Sequence, residues 1–170
     1  MESSGYWGAV RLVPRNTAGS ELLVSGTILE SDGESLVLEI SAQDATGKEW
    51  FKRTYSEEIE YTQYRQRGQD EIDPFQPLYN TIANDLAELR AKLEPHETMG
   101  IRRVASMRFA LDLAPDAFGG YLKADGDRFD LVRLPAVDDP MYRRVQAIRD
   151  RDFLLIDTLN GHFDNFAREM

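Results

Sequence analysis

Cysteine is absent from the 170 residues, which excludes disulfides, thiol nucleophiles and cysteine-ligated zinc. The compartment stays open, because cytosolic and periplasmic domains alike can lack cysteine. Long apolar runs are missing as well. Nothing approaches the ~18–20 consecutive apolar residues of a membrane helix, and the N-terminal stretch has no signal-peptide pattern. Basic charge is scarce: 20 Lys and Arg stand against 30 Asp and Glu, a formal net charge of −10. That field repels phosphate backbones and anionic membranes, so nucleic acid is not an expected partner.

Hydrophobic residues make up 42% and charged residues 29%, enough of the first to build a core and too few of the second for a disordered chain. The length suits one ordinary domain, or a small domain with a substantial extension. The most legible stretch runs from Glu21 to Glu60. Three strand-like segments, ELLVSGTILES, ESLVLEISAQDA and KEWFKRTYSEEIE, are separated by Asp32-Gly33 and by Asp44-Ala45-Thr46-Gly47. Asp-Gly between alternating apolar runs is a strong hairpin signal, because tight hairpin turns need positive φ. Gly47 falls where a short loop requires a left-handed residue. Leu36, Leu38, Ile40 and Ala42 alternate with Glu39, Ser41 and Gln43, which predicts one buried and one wet face. In the first segment Val24, Gly26 and Ile28 share one face, opposite Leu23, Ser25, Thr27 and Leu29.

Residues 6–14 (YWGAVRLVP) predict a further short strand closed by Pro14. After a polar stretch at 61–74, Asp73-Pro74 offers an N-cap and a first-turn proline. Phe75, Leu78, Tyr79, Ile82, Leu86, Leu89 and Leu93 follow in steps of three and four, the stripe of a helix over about 75–93. A second helix is expected over 100–113, with Ile101, Val104, Ala105, Met107 or Arg108, and Leu111 as its apolar side. Pro115 to Gly120 stops it, and Asp125-Gly126 signals a second hairpin between YLKA and RFDLVRL. A last helical stretch opens at Asp138-Asp139-Pro140. Its stripe is Met141, Val145, Ile148, Leu155, Leu159, Phe163, Phe166 and Met170, interrupted by Asp152 and His162, with a break expected near Gly161. The fold class expected is therefore α+β: an antiparallel meander of about four strands covered by an amphipathic helix (residues 1–94), then a mainly helical extension with a short hairpin (95–170).

No catalytic constellation emerges. His96 follows Pro95 in a connection between helices, and His162 lies beside Asp157, Asn160 and Asp164. A histidine near carboxylates can act as a general base, but no nucleophile stands at a recognisable spacing, so a helix-surface histidine is the preferred reading. Asp125-Gly126-Asp127-Arg128-Phe129-Asp130 fails the EF-hand pattern, with Gly second and Phe at a ligand position. No metal ligand set and no cofactor motif is expected. Tyr61, Tyr64, Arg65 and Arg67 form an aromatic and basic cluster, read either as a ligand lip or as a solvated loop. Arg143, Arg144, Arg149 and Arg151, interleaved with Asp138, Asp139, Asp150 and Asp152, suit a solvated helix face or an anion clamp. Of these, Tyr61, Tyr64, Arg65, Arg67, Arg143 and Arg144, together with Trp50, are the candidate interaction surface.

The segments LLVSGTIL, DGESLVLEISAQDATGKEWFKRTYS and PLYNTIANDLAELRAKL resemble the small α/β domain of cell-envelope proteins, of the type found at the amino terminus of the Tol-system protein TolB. Related domains occur in outer-membrane lipoprotein activators of penicillin-binding proteins and in the curli secretion lipoprotein. The matching features are V-x-G-x-I at Val24, Gly26 and Ile28, D-x-x-G-x-x-W at Asp44, Gly47 and Trp50, and the closing helix. The resemblance spans residues 6–93, and residues 98–170 match no such pattern. It implies a noncatalytic periplasmic module that binds a protein partner or supports envelope assembly. It also implies a start inside the domain, with a lipid anchor to the outer membrane on a segment before Met1. Rival readings are a cell-wall hydrolase with an acidic pair in the C-terminal half, and a cytosolic oligomerisation module using the last helix.

Overall fold

In the computed structural model, which describes residues 6–13, 19–59 and 73–169, the meander is present as three antiparallel strands. They are β1 (Leu22–Ser31), β2 (Ser35–Asp44) and β3 (Glu49–Glu58), with β2 in the middle. For residues 164 and 167–169 only the helical backbone is described. Among the described residues, four helices and a second, two-stranded sheet complete an α+β protein: α1 (Gln76–Ala91), α2 (Pro95–Leu113), α3 (Pro115–Phe118), β4 (Leu122–Asp125), β5 (Arg128–Leu131) and α4 (Pro140–Glu169). The chain divides into two compact units. One holds residues 22–44 and 48–95; the other holds 1–21, 45–47 and 96–170.

Local chemistry explains the turns. Gly33, Gly47 and Gly126 all have positive φ, at 94°, 83° and 60°, the region where a side chain would clash with its own backbone. At the first turn the Asp32 carboxylate accepts from the backbone N–H of Glu34 at 2.9 Å and of Ser35 at 2.7 Å. This Asx geometry is the reason aspartate precedes the glycine.

In the sheet unit, register sets Leu38 opposite Tyr55 and Ala42 opposite Phe51. The core is Leu36, Ile40 and Ala42 of β2, Phe51 and Tyr55 of β3, and Leu78, Ile82 and Leu86 of α1. Each fully buried Leu or Ile contributes ~1.5–3 kcal/mol. The helix α1 begins at Gln76, three residues after the expected cap, with Pro77 in its first turn. Asp73 and Pro74 instead build the turn before it: the Asp73 side chain accepts from Phe75 N–H at 2.9 Å, and its carbonyl from Gln76 N–H at 3.0 Å. From α1, Asp85 accepts from the Tyr55 hydroxyl at 2.7 Å and from the Arg53 guanidinium at 2.8 Å on the same oxygen.

The helical unit packs Ile101, Val104, Ala105, Met107 and Ala110 of α2 with Phe118, Leu122 and Val145. Its helix α2 starts at Pro95, five residues earlier than expected, because a proline needs no donor in the first turn. His96 therefore lies in that first turn and not in a connection. Asp139 caps α4, accepting from Met141 N–H at 2.8 Å and Tyr142 N–H at 3.0 Å.

Three expectations fail. Residues 6–13 form no strand, so among the described residues the meander has three strands where about four were expected. Arg11 holds that segment against α4 by a bidentate pair with Asp157 (2.6 and 2.9 Å) and by lying 4.4 Å over the Phe153 ring. The helix α4 runs unbroken through Gly161, since one exposed glycine costs only ~1 kcal/mol in a helix of this length. And of the described residues in the expected α4 stripe only Val145 is buried; Met170 lies outside the described residues. The helix packs instead through Tyr142, Val145, Gln146, Arg149, Phe153, Ile156 and Asn160.

Candidate interaction surfaces

Arg149 anchors that packed side. It donates to the Ser106 hydroxyl at 2.7 Å and to the Gly19 carbonyl at 2.6 Å, with its guanidinium 5.0 Å from the Phe153 ring centre. Burial pushes its pKa down, countered in part by Glu21. Turning α4 by 100° per residue shows what remains outside. Met141, Ile148, Leu155, Leu159, Phe163 and Phe166 fall within an arc of about 80°, directly beside the packed side, and all six are exposed. Leu155 and Phe163 are 59% and 67% exposed. Contiguous exposed apolar patches on a monomer, unlike scattered apolar side chains, often mark interaction sites. The outer border of this stripe carries Arg144 and Arg151, seven residues apart and both exposed.

The second surface is β1. Only Leu22 among its ten residues is even half-buried. The strand pairs with β2 on one side, and its other edge has no partner strand among the described residues. Register places Val24, Gly26 and Ile28 on the face that carries Ala42, Ile40 and Leu38. On that face α1 packs against β3, and Val24 and Ile28 remain 39% and 66% exposed. Gly26 leaves room for Ile40, whose Cδ1 would lie 3.1 Å from a Cβ there. A bulge between Ile28 and Glu30 shifts the register, after which Glu30 pairs with Val37 and Ser31 with Leu36; such a bulge bends an edge away from flatness.

The residues singled out in the sequence do not converge. Tyr61, Tyr64, Arg65 and Arg67 lie outside the described residues. Trp50 is half-buried, and its indole N–H donates to the Asp44 carboxylate at 3.0 Å, a structural role. Asp44 is 3% exposed. The D-x-x-G-x-x-W spacing is thus a device for closing the β2–β3 loop. Arg143 and Arg144 are exposed on α4, but only Arg144 borders the apolar stripe. His162 is exposed, and its expected companion Asp157 is occupied by Arg11, which holds that carboxyl below the usual range. Of the described carboxylates after residue 95, Glu97 and Asp139 are half-buried and the rest are exposed. A glycosidase acid needs a desolvated carboxyl facing a second one. Among the described residues no group of three or more His, Asp or Glu is placed to hold a metal ion, and no helix is long and apolar enough to cross a membrane.

Sequence reading missed three positions that matter. Gly47 was legible as a turn residue, but not its closeness to β5: a Cβ there would lie 1.8 Å from the Asp127 carbonyl oxygen. Beside it, Phe129 N–H donates to the Thr46 carbonyl at 2.9 Å, and Arg108, 4.2 Å over the Phe129 ring, donates to the Ala45 carbonyl at 3.0 Å. Arg149 reads in sequence as a solvated charge, and Arg108 as an alternative to Met107 on the apolar side of its helix, because the backbone carbonyls that accept from them are distant in sequence. Compared with known proteins, the chain matches no family model, no curated protein and no solved structure.

Proposed function

We propose that this chain is a noncatalytic docking protein that presents α4 to an apolar groove with an acidic rim on a partner protein. The observation that carries the reading is the exposed stripe Ile148–Leu155–Leu159–Phe163–Phe166. Leu155, Leu159, Phe163 and Phe166 fall at i, i+4, i+8 and i+11, the spacing of anchors on a groove-binding helix, and burying one such side chain contributes ~1.5–3 kcal/mol. Arg144 and Arg151 along the border supply the charge that an acidic rim would answer.

The resemblance to envelope domains is what supports a periplasmic partner, and it now rests on β1 to α1 alone, because residues 6–13 are not a strand. Fractionation of cells carrying the tagged full chain tests that compartment. Docking itself is tested by capture from envelope extracts with the wild-type chain and with Leu155→Glu/Leu159→Glu, which alters exposed positions and should leave the far-ultraviolet spectrum intact. A partner retained by the first and lost by the second supports the reading. Equal retention by both, or no specific partner for either, overturns it. The spacing of Val145, Ile148, Leu155 and Leu159 also fits helix pairing between copies, but Val145 is already buried in its own fold, which favours a groove over a coiled coil.

A further inference from the structure

The chemistry of β1 is symmetric about Gly26. Ser25 and Thr27 flank it, then Val24 and Ile28, then Leu23 and Leu29. When two identical strands pair antiparallel about a two-fold axis through Gly26, each residue faces the one equally far on the other side. Hydroxyl then meets hydroxyl, β-branched meets β-branched, and leucine meets leucine, which are the favourable cross-strand combinations. An isologous interface demands this self-complementarity, whereas a foreign strand does not.

The edge is also undefended. Between Leu22 and Ser31 there is no lysine, arginine or proline, and the one charged residue is Glu30. Edges that must stay single are usually blunted by such residues or by shortness, and this strand has ten residues. Its one blunting feature, the bulge after Ile28, lies outside the segment from Val24 to Ile28. We infer that β1 pairs antiparallel with β1 of a second copy, centred on Gly26, so that two three-stranded sheets become one of six strands. Val24 of each copy then covers Ile28 of the other, extending the apolar face beyond the part that α1 covers. Two copies each carrying −10 repel one another, so salt strengthens the pairing, the reverse of a charge-driven interface.

This pairing uses a different surface from α4, and the experiment separates the two. Sedimentation of the full chain should show a concentration-dependent dimer that grows on raising the salt. Ile28→Lys, at a position two-thirds exposed, should shift it to monomer at least tenfold in Kd, while Leu155→Glu/Leu159→Glu should leave it unchanged. Because the chain has no cysteine, Ser25→Cys and Thr27→Cys report register directly. A mixture of the two variants should form an intermolecular disulfide several-fold faster than either alone. A monomer at every concentration and salt overturns the inference. So does a dimer insensitive to Ile28→Lys, a dimer lost with the α4 variant, or self-linking of Ser25→Cys as fast as the mixture.

Discussion

Replacing Gly47 by alanine tests the packing account of the β2–β3 loop most sharply. Two effects combine at this position. Its φ of +83° burdens any side chain with about 1–2 kcal/mol of left-handed strain. In addition, the new Cβ would lie 1.8 Å from the Asp127 carbonyl oxygen and 2.7 Å from its carbon. A tolerable carbon–oxygen separation is about 3.3 Å, so the loop must withdraw by roughly 1.5 Å from β5. Withdrawal threatens two hydrogen bonds, Phe129 N–H to Thr46 and Arg108 to Ala45, which contribute about 1 kcal/mol and about 1.5–3 kcal/mol respectively. The expected loss is therefore about 3–6 kcal/mol, a large part of the 5–15 kcal/mol that holds a typical domain folded. Gly33→Ala supplies the control: its φ is +94°, but no atom lies within 4 Å of the added carbon, so strain alone applies, about 1–2 kcal/mol. Urea unfolding followed by circular dichroism measures both. If Gly47→Ala falls within about 1 kcal/mol of Gly33→Ala, the close approach to Asp127 is not a determinant of stability and the account fails.

Two further outcomes are expected from the sheet unit. Desolvation, reinforced by the hydrogen bond to Asp85, pushes the Tyr55 phenol up to about 12. A pKa raised on folding means that the contribution is complete below about pH 10, the ordinary tyrosine value, and is lost as pH climbs toward 12. Spectrophotometric titration should show one tyrosine ionising after the others, and Tyr55→Phe should remove that last step; its survival in the variant would assign it elsewhere. Trp50→Phe should destabilise the chain by about 1–3 kcal/mol, because the buried Asp44 carboxylate loses the indole donor. Asp44→Asn added to it should restore part of that loss, and purely additive losses would show the pair is not coupled.

The meander was legible because its determinants are local. Asp32-Gly33 and Gly126 dictate their own backbone, and period-two alternation dictates which face of β2 is buried. The same logic misread residues 6–13, where YWGAVRLV alternates like a strand. What decides their conformation is Arg11 finding Asp157 and Phe153, about 145 residues away, and no window of sequence contains that. On α4 two stripes compete. Periodicity finds the more apolar one, but the chain buries the one with Gln146, Arg149 and Asn160, since Gly19 and Ser106 offer acceptors for the guanidinium. The stripe left outside is the candidate docking surface, so the misreading and the functional proposal share one cause.

The seating of the β2–β3 loop has a consequence for synthesis. Its turn forms early, yet the carbonyl that Gly47 must lie against belongs to a residue made about 80 positions later, roughly 4–16 s afterwards at the usual pace of a ribosome. Until then Ala45 and Thr46 hold carbonyls that await Arg108 and Phe129. The meander can therefore pair while the chain is still growing, but its second loop is finished only once the downstream hairpin has left the ribosome.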